Sequence, residues 1–486
     1  MGLLRLPTSF GGLMGPLHRR VWAISVMVKI KQLGVSMVLA LTGCVSLAPE
    51  YQRPPSPVAA RFSSSQAASV EAPSHYQDHG WRQFFHETQV QRLIEQALRN
   101  NRDLRQAVLN VRLARTQLAL QQAERYPQLD ASAQANYRDP FAGGASSREY
   151  QLGGALGFEL DLFGRLQSMS EQERQNFLAS QQAQRAVQIL VVANVAQAYF
   201  TQQLAYAQLR IAEETLQNYR QSYSLIEQQV RAGSNNLLAL EQARGQIEST
   251  QATLARREGE LAQANHAIQR LVGVYGDLPG DQEGLARGVE PLALPVPLPS
   301  TILLQRPDIM EAEHLLQAAD ANIGAARAAF FPSISLSGGV NSSGSDLAGL
   351  FSAAGGMWSF VPKVTLPIFN GGRNRANLQL AELRQQQSIV NYENKIQAAF
   401  KEVDDALSTR DSLADQLMAQ QRYLDALQAT LQRARGLYAH GALSYLEVLD
   451  AERALFTTRQ TLLDLRYAQQ ANEITLFAAL GGGWQA

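Results

Sequence analysis

The chain has 486 residues, which is too long for one ordinary core and long enough for two or three structural units. Its 43 basic and 43 acidic residues balance, so it lacks the basic surface that a nucleic-acid-binding protein needs to meet phosphates. A single cysteine excludes an internal disulfide and a cysteine-based zinc site. After the first fifty residues there is no apolar run of about 18 residues, so a helical membrane span is not expected there.

The first 43 residues have the features of an export signal. Two lysines precede a short apolar run, and Leu41-Thr42-Gly43-Cys44 resembles the lipobox of bacterial lipoproteins. That resemblance implies cleavage before Cys44, acylation of Cys44, and, because Val45 follows, sorting to the outer membrane. We therefore expect residues 1–43 to be a signal peptide, with Met27 or Met14 as an alternative start. The competing interpretation is a plain secretory signal with a chance cysteine.

Residues 44–80 are expected to form a lipid-anchored N-terminal tether. The stretch is rich in proline, and such composition is typical of a linker between an anchor and a folded unit. Several acyl chains would hold the protein stably, because each buried CH₂ contributes about 0.8 kcal/mol.

The rest of the chain repeats itself at long range. The sequence AERYPQLDASA near Pro127 resembles AAFFPSISLSG near Pro332, 205 residues later, and Gly233 matches Gly441 at an offset of 208. A period this long indicates a duplicated domain rather than a solenoid of short units. We predict a first repeat over residues 81–290 and a second over residues 291–486, each containing a helix, two strands, a very long helix and another helix.

Two strands are predicted in each repeat. Leu129 to Tyr137 alternates apolar and polar residues with period 2, and residues 150–161, 333–341 and 358–368 do the same. Each strand has about 10 to 12 residues, enough to cross a bilayer at a tilt, and the alternation is typical of outer-membrane barrels. Four strands cannot close a barrel, so spanning strands would require several copies of the chain, in a number that the pattern leaves open.

Very long helices are predicted after each strand pair. Residues 165–232 and 373–435 contain neither Gly nor Pro, so each helix could extend on the order of 100 Å. Apolar residues recur at spacings of three and four, while Ala and Gln at many other positions permit helix contacts on more than one side. A plain coiled-coil rod would explain this periodicity equally well.

Each long helix is expected to end at a glycine turn and to be followed by a returning helix, which makes two helical hairpins per chain. The tips are predicted at Gly233 and Ser234 in the first repeat. In the second repeat they are predicted at Gly441, Ala442, Leu443 and Ser444.

Taken together, these residues resemble the TolC-like outer-membrane efflux factors of the NodT-type lipoprotein branch. The resemblance covers roughly Trp81 to Gly483, and its most specific segments are RPDIMEAE at 306–313, YAHGALSYLEVLDAER at 438–453 and LGGGW at 480–484. It implies a mainly α protein whose hairpins form a trimeric α-barrel, with four strands per protomer completing a 12-strand β-barrel. It also implies a passive, lipid-anchored outer-membrane duct that reaches into the periplasm. Its partners would be two further copies, a periplasmic adaptor protein, an inner-membrane pump and outer-membrane lipid.

The resemblance places a periplasmic gate at Glu447 and Asp450, one turn apart after Gly441, so a trimer would bring six carboxylates to one constriction. Crowded like charges repel, so a cation would bind, some pKa values would rise, or the ring would open. The first-repeat counterparts, Ala239 and Gln242, are uncharged. The alternative role is an acidic first turn favoured by the helix dipole. Some family members carry a basic residue at the position of Leu443. Its absence here weakens the case for a gate held closed by opposite charges.

No catalytic or cofactor site is expected. The GxSxG, GxxxxGK[ST] and HExxH motifs do not occur, and the seven histidines are scattered without a complete metal site. The rival functions are a periplasmic coiled-coil adaptor or a structural lipoprotein without a pore, but adaptors carry one hairpin and lack the duplication. The exported compound cannot be inferred from the sequence.

Overall fold

The computed structural model describes residues 46–62, 80–276, 289, 291–292, 294, 298–352 and 355–482. Cys44, the expected signal peptide and the LGGGW segment beyond Gly482 lie outside these residues. The chain divides into two units. The sheet unit comprises Met1–Glu50, Gln121–Glu171 and Asp320–Glu382, and the helical unit comprises Tyr51–Leu120, Gln172–Ala319 and Leu383–Ala486.

The order of elements repeats, as expected from the duplication. The first repeat contains α1 (Trp81–Phe84), α2 (Thr88–Asn100), α3 (Arg102–Ala123), β1 (Gln128–Arg138), β2 (Ser147–Leu160), α4 (Arg165–Arg231) and α5 (Leu237–Val272). The second contains a 3-10 turn (Ser300–Gln305), α6 (Pro307–Ala328), β3 (Ser333–Gly344), β4 (Gly356–Thr365), α7 (Arg373–Ala439) and α8 (Tyr445–Ala479). The expectation of one opening helix was wrong for the first repeat, which opens with three.

The four strands form one antiparallel sheet in the order β1-β2-β3-β4. In the β1–β2 register Leu129 lies opposite Leu156, and in the β2–β3 register Phe158 lies opposite Leu336. Since alternate residues share a face, one face of the sheet collects the apolar side chains and the other collects Gln, Ser, Asn and Asp. The predicted alternation is confirmed in β1, β2 and β3. In β4 it is interrupted, because Met357 and Val361 lie opposite Asn341 and Ser337 on the polar face, and the strand ends at Thr365 rather than at residue 368.

The apolar face of this sheet is open in the isolated chain. Leu129 and Trp358 are each 77% exposed, although both belong to the apolar set. Phe360 lies over Gly338, 3.9 Å from the position that a Cβ would occupy there, so an aromatic ring covers the glycine on this face. No helix in the described ranges is both long and apolar enough to cross a membrane.

The core of the helical unit lies where the helices of both repeats meet. Trp81 is 1% exposed, and Phe84 stacks on Phe477 of α8 with ring centroids 4.2 Å apart. A second cluster surrounds Tyr392 and Ile396 of α7. Both clusters receive residues from α8, so this helix joins the two parts of the core.

The two repeats share one structural feature at the start of the helix that precedes each strand pair, α3 in the first repeat and α6 in the second. The Asn101 side chain donates to the carbonyl of Leu271 at 2.8 Å, in the last turn of α5. At the equivalent place, Arg306 donates to the carbonyl of Ala479 at 2.7 Å, in the last turn of α8. Each contact satisfies a carbonyl at a helix end, where helical hydrogen bonding stops, and so joins the end of a repeat to its beginning.

Asn101 also explains why the first repeat opens with separate helices. Its backbone is extended, with φ −60° and ψ 133°, which ends α2. Its side-chain oxygen accepts hydrogen bonds from the backbone N–H groups of Asp103 and Leu104, at 2.9 and 3.0 Å, which begins α3.

Arg306 is buried and forms an ion network that Asn101 lacks. Its guanidinium contacts Asp308 at 2.8 Å and Glu402 at 2.9 Å. Burial alone would raise the pKa of Asp308, but the hydrogen bonds and charge of Arg306 hold that pKa below its ordinary value. Asp308 therefore stays ionised beside Arg306 at neutral pH.

We expect Arg306→Ala to cost about 3 kcal/mol of unfolding free energy, because it leaves the partly buried Asp308 and the Ala479 carbonyl without their partner. Asn101→Ala should cost about 1–2 kcal/mol, since it removes a neutral cap. Arg433→Ala, at an exposed site on α7, should change stability by less than about 0.5 kcal/mol. Denaturant unfolding followed by circular dichroism measures all three, and equal losses for Arg306 and Arg433 would contradict this account.

Candidate functional site

The two hairpin turns have the same backbone geometry. Gly233 and Gly441 have φ of 74° and 71°, a conformation that glycine adopts without strain. The N–H of Ser234 donates to the carbonyl of Gln229, and the N–H of Ala442 donates to that of Leu437, each at 2.9 Å. This bond across six residues closes each helix end in the same way. The structure thus places turns at the predicted tip residues.

Three neutral side chains join the two turns. Asn235 Nδ2 donates to the hydroxyl oxygen of Tyr438 at 3.0 Å and to Gln229 Oε1 at 3.0 Å. The Tyr438 hydroxyl donates to the same Gln229 oxygen at 2.7 Å. Burial raises the pKa of Tyr438, so its hydroxyl remains a proton donor throughout the physiological range. We call Gln229, Asn235 and Tyr438 the tip triad.

The sequence interpretation missed this triad. Tyr438 lies in a segment that carried the family resemblance, but no role was assigned to it, and Gln229 and Asn235 belong to the other repeat. All three residues are uncharged, and Tyr438 is more than 200 positions from the other two. The only sequence signal for the contact was that each lies within eight residues of a predicted tip glycine.

Both predicted gate carboxylates lie on the first two turns of α8 and are exposed. Glu447 accepts a hydrogen bond from the hydroxyl of Ser444, the N-cap residue of the helix. Asp450 lies 3.3 Å from Arg453, and both of these side chains are about half exposed or more. Arg453 was not considered in the sequence interpretation, and it provides a counter-charge that the expected ring of carboxylates lacked. An exposed pair of this kind contributes little to stability.

A third carboxylate in the same turns is buried. Glu452 is 7% exposed and accepts a hydrogen bond from Arg435 of α7 at 2.7 Å. It lies near the phenol groups of two buried residues, Tyr219 and Tyr445. Burial, followed by the charge of Glu452, raises the pKa of Tyr219 to about 12. Glu452 therefore fixes α8 to α7, whereas Glu447 and Asp450 remain available at the surface.

A groove of about 550 Å³ lies between the tips. Its polar side includes the tip triad, and Leu238 and Leu446 provide apolar side chains on its rim. Leu238 is 68% exposed, so the rim offers apolar surface to a partner. Leu443, by contrast, is half-buried against the core of the tip region.

Among the described residues, no group of three or more His, Cys, Asp and Glu side chains lies close enough to hold a metal ion. His75 and His79, the two histidines closest to each other in the sequence, lie outside the described residues. The chemistry available at the tips is thus hydrogen bonding and surface charge.

Comparison with known proteins identifies the chain. Residues 93–274 and 298–482 each match the outer membrane efflux protein family, one match per repeat. The chain belongs to this family. Its function is that of an outer-membrane efflux channel, a transport protein located in the outer membrane. The two matches set aside the adaptor and rod interpretations, because both repeats have efflux-protein sequence.

Individual relatives are similar over nearly their whole length. The chain is 61% identical to the probable outer membrane lipoprotein SilC of Salmonella typhimurium, over 94% of this chain and 100% of the relative. It is 62% identical to the cation efflux system protein CusC of Escherichia coli (strain K12), over 93% and 99%. A crystal structure of CusC superposes with a TM-score of 0.84 at 61% identity, covering 90% of this chain and 100% of that one. The predicted fold class is confirmed.

The tip triad leads to a prediction about local stability. Tyr438→Phe removes one donor and one acceptor from the triad, so opening of the turns should become easier by about 1–2 kcal/mol. Amide hydrogen exchange at residues 234–236 and 441–444 should then accelerate roughly tenfold.

Tyr445 supplies a matched control. Its ring lies 5.9 Å from that of Tyr438, yet its hydroxyl is buried without a hydrogen-bond partner in the described chain. Tyr445→Phe removes an unpaired polar group and should leave exchange unchanged or slower. Equal acceleration in both variants would mean that the triad does not hold the tips.

Proposed function

We propose that the chain forms the passive outer-membrane duct of a tripartite pump that exports metal cations. The observation that carries the choice of cations is 62% identity to a cation efflux system protein along 99% of its length. The exposed carboxylates at the tips agree with that cargo. The energy for transport would come from the inner-membrane pump, and this chain would supply a water-filled path with a gate.

Three copies would complete the wall of the duct. β1 and β4 are the edges of the sheet, and each has only one neighbouring strand in the described chain. Because the strands alternate in direction, β1 of one copy can pair antiparallel with β4 of the next. Twelve strands enclose an aqueous interior, whereas eight leave space only for side chains.

Exposed leucines on the helices that adjoin these edges support the same arrangement. Leu109, Leu113 and Leu120 lie along one side of α3, which precedes β1, and are 43–66% exposed. Leu383 and Val390 lie seven residues apart on α7, which follows β4, and are also more than half exposed. We infer that these two stripes contact each other between copies, since heptad-spaced apolar residues pair along helices.

The tips would contact the periplasmic adaptor protein. The groove between them combines apolar rim residues with hydrogen-bonding side chains, the composition expected of a protein contact site. In this proposal, Gly233, Ser234, Gly441, Ala442, Leu443 and Ser444 belong to the contact region.

Glu447 and Asp450 would form the gate. Three copies bring six carboxylates to one level, and only the second-repeat hairpin supplies them, because Ala239 and Gln242 are uncharged. Mutual repulsion favours binding of a cation at this level. Cys44 would carry the lipid anchor that holds each copy at the outer membrane.

A transport assay tests the choice of cargo. We expect the chain, expressed with its adaptor and pump in a strain that lacks its own outer-membrane efflux component, to raise tolerance to metal cations. Tolerance to apolar organic solutes should change less. The empty vector and a strain without the adaptor are the controls. Increased tolerance to organic solutes alone would replace the cation proposal with general solute export.

Conductance tests the gate. Replacing both acids, Glu447→Gln with Asp450→Gln, should raise single-channel conductance in planar bilayers or weaken block by divalent cations, because repulsion and cation binding are both removed. Glu258→Gln, at an exposed position on α5 distant in sequence from the turn, is the matched control. Unchanged conductance together with unchanged block would exclude Glu447 and Asp450 as the gate.

A further inference from the structure

The apolar face of the sheet carries a single charge. By the strand registers, this face consists of the odd-numbered residues of β1 and the even-numbered residues of β2, β3 and β4. Among these described strand residues, Arg148 of β2 is the only one with a charged side chain. The opposite, polar face carries several, including Asp130, Glu159 and Lys363. A charge on a lipid-facing surface is costly near the middle of a membrane, so the position of Arg148 along its strand is decisive.

Arg148 lies beyond the apolar band of the sheet. Twelve residues separate it from Leu160, the last residue of β2, which at about 3.3 Å per residue is about 40 Å along the strand. Barrel strands tilt by about 35–45°, so this length rises by about 28–33 Å, whereas the apolar band of outer-membrane barrels is about 25 Å tall. On the same basis Tyr150 comes at about 23–27 Å. Tyr150 thus lies at the edge of the band, and Arg148 lies at the level of the lipid headgroups.

This end of the sheet is the outer one. α3 leads into β1 and β2 leads into α4, so the helices join the sheet at the end opposite to the β1–β2 turn. In the proposed duct the helices lie on the periplasmic side, and the β1–β2 turn therefore lies outside the cell. The lipid of the outer leaflet carries phosphate groups, so the headgroups at the level of Arg148 are anionic.

Two tyrosines adjoin the guanidinium on the same face. Tyr137 lies opposite Arg148 in the β1–β2 register, and the guanidinium carbon is 5.9 Å from the centre of the Tyr137 ring. The hydroxyl oxygens of Tyr137 and Tyr150 are 2.8 Å apart, and one of them donates to the other. The phenol that accepts this bond still has its own O–H to donate. The three side chains therefore present guanidinium N–H groups and a phenol O–H next to each other.

The protein does not neutralise Arg148 within the part of the chain that the structure describes. The side chain is exposed, and no ion pair joins it to a carboxylate of these residues. The adjacent acid, Glu149, lies on the polar face and accepts a hydrogen bond from Gln151 at 2.8 Å. An exposed guanidinium without a counter-charge can bind a phosphate through two parallel N–H groups.

We propose that Arg148, Tyr137 and Tyr150 bind a phosphate group of a lipid in the outer leaflet of the outer membrane. The guanidinium would donate to the phosphate oxygens, together with the free phenol O–H. The acyl chains of the lipid would lie along the apolar band, beginning at Leu152. The orientation of the sheet, and hence the choice of leaflet, rests on the proposed duct.

Each copy of the chain would supply one such site. The corresponding end of β3 carries Ser342 and Gly344 on the apolar face, and neither is charged. A trimer would therefore bind three lipids, each next to β1, the edge strand of its sheet.

Native mass spectrometry of the full-length trimer in detergent tests the site, with diphosphorylated lipid A as the probe. We expect up to three lipids per trimer. Arg148→Gln should weaken binding roughly tenfold, because it removes a charged hydrogen-bond donor. Arg138→Gln is the matched control and should bind like the wild type. Arg138 is also an exposed arginine at this end of the sheet, but it lies on the polar face, opposite Ser147.

A lipid without phosphates separates headgroup recognition from contact with the apolar band. Wild-type trimers should bind an analogue of lipid A that lacks both phosphates roughly tenfold more weakly, and Arg148→Gln should not distinguish the two lipids. Equal affinity of the Arg148 and Arg138 variants for lipid A would overturn the proposal. Equal wild-type affinity for the two lipids would do so as well. Displacement of lipid A by millimolar inorganic phosphate would show a general anion site and refute the lipid assignment.

Two further variants test the individual donors. Arg148→Lys keeps the charge but not the planar guanidinium, so its affinity should fall between those of the wild type and Arg148→Gln. This variant also provides the comparison if Arg148→Gln fails to assemble. Tyr137→Phe combined with Tyr150→Phe keeps both rings and removes both hydroxyls, and should weaken binding about threefold. Unchanged affinity in the double variant would exclude the phenol as a donor.

The lipid site and the duct can fail separately. Conductance of the wild-type protein in planar bilayers reports on the duct alone. A protein that conducts but binds both lipids equally well would refute the lipid site and leave the duct standing. A protein that prefers the phosphorylated lipid but does not conduct would refute the duct and retain the phosphate site.

Discussion

An apolar sheet face with open edges is the feature on which the proposed assembly depends. Burying an apolar side chain stabilises a protein by about 1.5–3 kcal/mol, and Leu129, Trp358 and Phe360 are all more than half exposed in the single chain. The polar face opposite them is rich in Ser, Gln and Gly, so it suits water and not a protein core. A sheet of this kind requires an apolar surrounding on one side, water on the other, and neighbours at both edges. The efflux-channel family provides a function that meets all three requirements.

The sequence predicted those features whose cause is local. Period-2 alternation defined the strands because side chains alternate across any strand, and long runs without Gly or Pro defined α4 and α7. The features that it did not predict depend on distant partners. Asn101 ends α2 because the carbonyl of Leu271 and the start of α3 both bind its side chain. The Pro-rich segment around Arg53 has the composition of a linker, but distant residues such as Glu313, some 260 positions away, hold it in place. Similarly, no charge pattern pointed to Tyr438 as a contact between the hairpins.

The repeats kept their backbone design while their side chains diverged. In each repeat the end of the last helix, α5 or α8, is bound by a residue near the start of the same repeat. That residue is the neutral Asn101 in the first repeat and the buried cation Arg306 in the second. A buried cation requires partners, and Asp308 and Glu402 supply them. The tips diverged in the same direction, since Glu447 has Ala239 as its counterpart. The carboxylates at the two proposed gate positions are therefore supplied by the second repeat alone.

This asymmetry would separate the two tasks that we propose for the tips. The hydrogen bonds of the tip triad are neutral, so they hold the hairpins together with little dependence on salt or on a passing ion. The carboxylates of Glu447 and Asp450 do not belong to the triad. Within the described part of the chain, Glu447 is bound by the N-cap residue Ser444 and Asp450 by the exposed Arg453. Because Arg453 is a weak partner at the surface, a cation that approaches three such pairs can compete for Asp450 without breaking a buried contact. A site that binds a cation weakly and leaves the contacts between hairpins undisturbed permits release as well as entry, which a duct requires.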